Sequence, residues 1–352
     1  MTTIPDARLI FAADIGATNS RFALFEACPD EPGAPLLRLL GEQWLKGAEY
    51  RDFPGVLRVL LQRAEDRPAP LLEPGRVPDV AVLAPAGPIL RNEDGQYCRI
   101  SNLPWTVHTR DVTAGLGIAE VYLINDFAAQ AYACLSPESV DAVPVLSGTA
   151  VSGAPIAVVG AGTGLGHALL LCDAAQCPDN ARESRADMLG RFLRARVMPS
   201  EAGHADFPFA DPAEYAFAES VRQRCGGARP IGDSIVSGTG LAHLVAWFTG
   251  RNPSPHEASA QAAEHPEILD WFARFYARAC RDYALNTLAL GGVFVTGGMA
   301  LRVPVLNRAA FASEFHESAA HRRLLENLPV WHVRNPQAGL WGAALYGLLR
   351  LL

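Results

Sequence analysis

The sequence predicts a two-domain protein of the α/β class, and three observations lead there. The chain has 352 residues, more than one ordinary hydrophobic core accommodates and suited to two. A strand, a turn of small residues and a returning strand occur twice, once from Ala13 and once from Val159, a separation on the scale of a whole domain. Around these hairpins, short apolar runs bounded by glycine or polar residues alternate with stretches of helical periodicity.

In chain order, Leu9-Ile10-Phe11-Ala12-Ala13 is a short apolar strand, and residues 21–26 return after a glycine turn. A helix is expected over residues 50–64. Val80-Ala81-Val82-Leu83 is a strand running into Pro85-Ala86-Gly87-Pro88. Val121-Tyr122-Leu123-Ile124 is a strand of the buried type, followed by Asn125-Asp126 and a helix-like stretch over 127–132. The polar, uneven segment 172–196 reads as a long excursion from the second domain. Ile268, Phe272, Phe275, Ala279 and Tyr283 recur at helical spacing, a stripe suited to a core. Val293-Phe294-Val295-Thr296 leads into Gly297-Gly298, which opens another helix, and the apolar stretch 339–352 is a last helix that packs back on a domain.

Composition narrows the function. Hydrophobic residues make up 49% and charged residues 19%, which excludes a disordered chain. The net charge of −7 and the scattered basic residues argue against a nucleic-acid partner. No apolar run is long enough for a bilayer, and Met1-Thr2-Thr3-Ile4-Pro5-Asp6 lacks the basic start and apolar core of a signal peptide, so a cytoplasmic protein with no membrane partner is expected. The seven cysteines are odd in number and none are spaced as a zinc or redox pair; they read as small buried residues in a reducing compartment. Lys46 is the only lysine, and no P-loop precedes it, which sets aside Walker A and protein-kinase sites.

The glycines of residues 160–166 fall at alternate positions and precede a strand, unlike a dinucleotide fingerprint. They suit a β-hairpin whose backbone N–H groups approach phosphate oxygens. In the first hairpin, Asp14, Gly16, Thr18 and Asn19 offer a carboxylate for a hydrated Mg²⁺ and donors for a terminal phosphate; Asp14 could equally initiate the turn. Asp126 stands where a helix begins, as a general base or as an N-cap. Glu201 and His204 have the spacing of helical metal ligands, but Pro199, Gly203 and Pro208 disfavour a regular helix there and favour a loop that binds hydroxyls.

Together these motifs resemble a known family. Asp14-Ile15-Gly16-Ala17-Thr18-Asn19 resembles the first phosphate motif of sugar kinases in the actin and heat-shock-chaperone ATPase superfamily. Residues 160–166 resemble its second phosphate motif, and Gly297-Gly298 its adenosine motif. Leu123-Ile124-Asn125-Asp126-Phe127, Glu201-Ala202-Gly203-His204 and Ser237-Gly238-Thr239-Gly240-Leu241, in that order, narrow the resemblance to bacterial glucokinases, from about residue 9 to the C-terminus. The resemblance implies a two-lobed actin-like ATPase (ribonuclease H-like) fold with a cleft between a small and a large domain. The small domain would cover 1–123, completed by 336–352, and the large one 124–335. It implies phosphorylation of glucose at the C6 hydroxyl, the first step of glycolysis, with ATP and Mg²⁺, in a cytoplasmic homodimer. Asp126 matches the catalytic base. Asn102, Asn125, Asp126, Glu201, His204 and Asp233 match sugar contacts. Asp14, Gly16, Ala17, Thr18, Asn19, Gly162, Thr163, Gly164, Gly297 and Gly298 match the nucleotide site, with Asp14 holding Mg²⁺ through water.

Three departures stand out. Ala17 occupies a usual glycine position, a cysteine-rich zinc motif is absent, and Asp233 stands where the family has a glutamate. The alternatives are a kinase for mannose or an amino sugar, a sugar-responsive regulator without activity, and a chaperone or filament ATPase of the same fold.

Overall fold

The computed structural model describes residues 8–16, 18–28, 35–62, 70–72, 75–100, 103–172 and 185–352. The chain forms two compact units. One gathers Met1–Ser139, Ala181–Arg194 and Gln337–Leu352, and the other Val140–Asn180 and Ala195–Pro336.

The first unit contains β1 (Arg8–Ile15), β2 (Asn19–Ala27), β3 (Leu37–Lys46), β4 (Val80–Pro85), β5 (Leu90–Asn92), β6 (Gly95–Arg99), β7 (Thr106–His108) and β8 (Glu120–Leu123). Its main sheet has the order β3-β2-β1-β4-β8. β1, β2 and β3 are antiparallel, whereas β1, β4 and β8 run parallel. β4 is buried along its whole length, as its unbroken apolar run requires of a central parallel strand. The second unit contains β9 (Ala142–Leu146), β10 (Ile156–Ala161), β11 (Leu165–Leu171), β12 (Arg196–Ser200), β13 (Val293–Thr296) and β14 (Val330–Val333), in the order β12-β11-β10-β13-β14-β9. Here β10, β11 and β12 are antiparallel, and β10, β13 and β14 parallel. Each unit thus winds a three-stranded meander onto a parallel trio, the first meander strand serving as the centre of the sheet. The duplication legible in the two hairpins is a duplication of topology.

Four expectations change. The helix expected over 50–64 is Phe53–Leu60. Asp52 caps it by accepting from the Gly55 amide at 2.8 Å, and Pro54 fills the first turn. The break expected at 123/124 falls instead at Ser139/Val140. The helix Asp126–Ala133 packs against Ala338–Leu351, so closely that a Cβ at Gly342 would stand 1.7 Å from the Ala129 carbonyl oxygen. Both helices therefore belong to the first unit. The excursion at 172–196, expected from the second domain, ends in the helix Arg185–Arg194, which clusters with the first unit. There the buried Arg191 guanidinium donates to the Leu135 carbonyl at 2.7 Å; residues 173–184 lie outside the described residues. Finally, Cys225, at the C-cap of the helix Pro212–Arg224, is exposed, whereas the other described cysteines are buried.

The core of the second unit forms around the helix Pro266–Thr287, whose Ile268, Phe272 and Phe275 are wholly buried, as the helical spacing predicts. Among the described residues no helix is long and apolar enough to cross a membrane.

His167 on β11 is buried with its ring centroid 4.6 Å from that of Tyr283, and its Nδ1 has no hydrogen-bond partner among the described residues. Burial lowers its pKa from 6.5 to about 4. Between those values the unfolded chain holds a proton that the native protein refuses, so stability falls as pH drops from 6.5 toward 4. His167→Phe is expected to flatten this slope, by no more than about 3 kcal/mol across the interval. Urea unfolding at pH 7 and 4.5 measures it; a residual slope from His243, His316 and His332, whose pKa values burial also lowers, should remain.

Candidate active site

The first hairpin is closed by the Gly16 amide donating to the Asn19 carbonyl at 3.1 Å, with Thr18 and Asn19 exposed. Ala17 lies outside the described residues. Asp14 is the penultimate residue of β1, beside this turn. A Cβ at Gly339 would stand 3.1 Å from Asp14 Oδ2 and 2.9 Å from Gln130 Nε2, so glycine there lets the terminal helix lie close to both groups without displacing either side chain. Burial pushes the Asp14 carboxyl above the ordinary carboxylate range, with the Arg21 guanidinium pulling the other way. Gln130, which the sequence reading did not name, flanks the same glycine as Asp14. Its position, four residues after Asp126, places both on one helical face and was the available signal.

The junction Asn125-Asp126 resolves its ambiguity. Asn125 is the N-cap: its Oδ1 accepts from the Phe127 and Ala128 amides at 2.9 and 3.2 Å, and its Nδ2 donates to the Gly87 carbonyl at 3.3 Å. That geometry leaves Asn125 a second Nδ2 hydrogen. Asp126 is the first helical residue, and the capping role is not its own.

In the second unit, the turn between β10 and β11 is held at three points. The Tyr276 hydroxyl accepts from the Ala161 amide and donates to the Thr296 carbonyl, both at 2.9 Å, locking the ends of β10 and β13 together. The Gly238 amide, at the start of the helix Gly238–Thr249, donates to the Gly162 carbonyl at 3.0 Å. The Leu165 amide donates to Asp233 Oδ1 at 2.6 Å. Gly297, at φ 90°, lies against this turn, and a Cβ on it would stand 2.5 Å from the Ala161 carbonyl oxygen. The two glycine motifs read as phosphate and adenosine elements are therefore neighbours. A Cβ at Gly162, by contrast, would meet nothing within 4 Å among the described residues, so that face of the turn is open.

Glu201, His204 and Asp233 converge on the same turn. Residues 202–204 form a single 3₁₀ turn rather than a regular helix. His204 Nε2 lies 3.4 Å from Glu201 Oε2, and its Nδ1 lies 3.8 Å from Asp233 Oδ2. Gly203 is required because a Cβ there would overlap the Leu165 carbonyl oxygen, at 1.8 Å, and crowd Asp233 Oδ1 at 2.8 Å. Asp233 does not cap its helix, Gly232–Ile235, whose N-cap is Ile231. Asn102 lies outside the described residues. Asp14, Asn125 and Asp126 thus belong to the first unit, and Glu201, His204, Asp233 and both glycine motifs to the second.

The residues present fit a magnesium nucleotide. Asp14 supplies a hard oxygen donor whose charge burial disfavours, which a dication would compensate, and the open face of Gly162 suits an anion approaching backbone.

The glucokinase family model matches residues 11–349. The glucokinase of Mesorhizobium japonicum is 30% identical over 351 residues, covering 96% of this chain and 91% of that protein. That of Stenotrophomonas maltophilia is 30% identical over 353 residues, covering 96% and 94%. Among solved structures, a glucokinase from an Antarctic psychrotroph superposes with a TM-score of 0.69 at 25% identity, covering 96% of this chain and 98% of that one. A glucokinase of Balamuthia mandrillaris in complex with glucose superposes with a TM-score of 0.72 at 19% identity, covering 98% and 94%, a likeness of fold. With the family model spanning nearly the whole chain and the duplicated topology carrying the expected motifs, this protein belongs to the glucokinase family.

Proposed function

We propose that the protein transfers the γ-phosphoryl group of ATP to the C6 hydroxyl of glucose, giving glucose 6-phosphate and ADP. The observation that carries this reading is the convergence of Glu201, His204 and Asp233 on a glycine turn suited to phosphate. A carboxylate and an imidazole suit adjacent sugar hydroxyls, and a turn bonded to the same carboxylate suits the group to be transferred. Family membership supports the same assignment.

Asp126 would accept the C6 proton as the oxygen attacks the γ-phosphorus. Its position at a helix N-terminus favours the ionised, proton-accepting form. Asn125, with its Oδ1 committed to capping, would present its remaining Nδ2 hydrogen to a sugar hydroxyl, and Asn102 would complete the sugar contacts. Gly16, Ala17, Thr18 and Asn19 would approach the terminal phosphate, and Gly162, Thr163, Gly164, Gly297 and Gly298 the rest of the nucleotide. Asp14 would hold Mg²⁺ through water; when bound, the ion supplies charge neutralisation at the transferring phosphoryl group. With no lysine in the turn, backbone amides must supply much of the remaining stabilisation. The proposal extends to a cytoplasmic homodimer, supported by family membership.

A coupled ADP-release assay over glucose, mannose, glucosamine and 6-deoxyglucose tests it. Glucose should be phosphorylated and 6-deoxyglucose inert. ATP turnover independent of sugar, or no hexose accepted, would sink the proposal.

A further inference from the structure

Asp233 does more than a sugar ligand needs to do. Its Oδ1 takes the Leu165 amide at 2.6 Å, at the point where the glycine turn re-enters β11. Its Oδ2 faces His204 Nδ1 at 3.8 Å and lies so near the turn that a Cβ at Gly164 would approach it to 2.7 Å. The backbone of Asp233 is itself fixed: the Ser237 hydroxyl donates to its carbonyl at 2.6 Å, and the adjacent Gly232 amide donates to the Ala205 carbonyl, beside the sugar turn, at 3.0 Å. Of the three anchors on the glycine turn, the Tyr276 hydroxyl and the Gly238 amide contact none of the sugar residues in this set. Asp233 contacts both.

We propose that Asp233 is a positioning residue that ties the phosphate turn to the sugar wall, so that one carboxylate sets nucleotide affinity as well as sugar affinity. This rests on the kinase reading above and deepens it. The bond is direct, charge-assisted and short, made by a side chain whose other oxygen stays available to a hydroxyl. Removing it would leave the Leu165 amide without its acceptor and would let the turn sample conformations that no longer match a bound phosphate.

The test separates the two oxygens. Asparagine keeps a carbonyl oxygen that can accept from Leu165 but loses the charge facing His204; alanine loses both. Calorimetry with AMPPNP·Mg²⁺ in the absence of sugar should show Asp233→Ala weakened about tenfold and Asp233→Asn within about threefold of wild type. Glucose binding without nucleotide should weaken in both variants. Hydrogen exchange of the Leu165 amide should speed up in Asp233→Ala and stay slow in Asp233→Asn. Equal nucleotide affinity in Asp233→Ala and wild type, or equal losses in both variants, would overturn the proposal. If Asp233→Ala does not fold, Asp233→Ser, too short to reach Leu165, takes its place with the same expectations. Failure of the wild type to phosphorylate any hexose would instead sink the kinase reading, while the binding and exchange measurements would still report on the tie.

Discussion

Asp126→Asn should lower kcat by about 10²- to 10⁴-fold, the usual worth of a positioned general base. Glucose and ATP should bind as in the wild type, because asparagine keeps the shape and the polarity of the side chain. The helix should be equally stable, because its cap is Asn125, which accepts from both the Phe127 and Ala128 amides. Asn125 also has the extended backbone of an N-cap, φ −63° and ψ 147°, whereas Asp126 is the first residue inside the helix. Asp126 therefore does not serve as the helix cap. Steady-state kinetics and calorimetry on the variant check this, with thermal unfolding as a control. Turnover near the wild-type rate would remove Asp126 from the role of base. A drop of about 1 kcal/mol in stability would instead point to a capping role.

That distinction was not legible in the sequence. Asparagine and aspartate are equally good caps, and only backbone geometry tells which of two neighbours stands outside the helix. The strands were readable because central parallel strands must be apolar throughout, as in Ile156–Ala161, and the duplicated hairpins announced two related units. The boundary at 123/124 was misplaced for a physical reason. A strand ending in polar residues looks like the edge of a domain, but the helix that follows has a surface of small residues at Ala128, Ala129 and Ala131. That surface matches the small-residue face around Gly342 and Ala343 of the terminal helix. The true start of the helix at Phe53 was available from Asp52 and Pro54, a cap followed by a first-turn proline. The bond between Asp233 and Leu165 joins residues 68 apart and follows no local pattern, so no reading of motifs would have found it. The same holds for Asp14, Gln130 and Gly339, which three separate segments bring to one place.

Asp14→Asn should move activity and stability in opposite directions. Activity should fall through the nucleotide: kcat/KM for MgATP should drop by at least about 10²-fold, since the variant lacks the carboxylate assigned to the metal. Glucose binding without nucleotide should survive, because Glu201, His204 and Asp233 do not depend on this residue. Stability should rise at neutral pH. Burial raises the Asp14 pKa above its unfolded value of 3.8, more than Arg21 lowers it, so the ionised carboxylate is worse placed in the native protein than in the unfolded chain. A raised carboxyl pKa means that the native state holds a proton the unfolded state has released. Stability therefore declines as pH rises from 3.8 through the folded pKa, and the penalty is full above it. Asparagine carries no such penalty, so the variant should be more stable than the wild type at pH 7 and gain nothing below pH 3.8. Thermal unfolding of both proteins from pH 3.5 to 8 measures the gain, alongside kinetics at pH 7.5. A variant less stable than wild type at pH 7 would show that the Asp14 carboxylate stabilises the turn through its own contacts. Undiminished kcat/KM for MgATP would remove Asp14 from the nucleotide site.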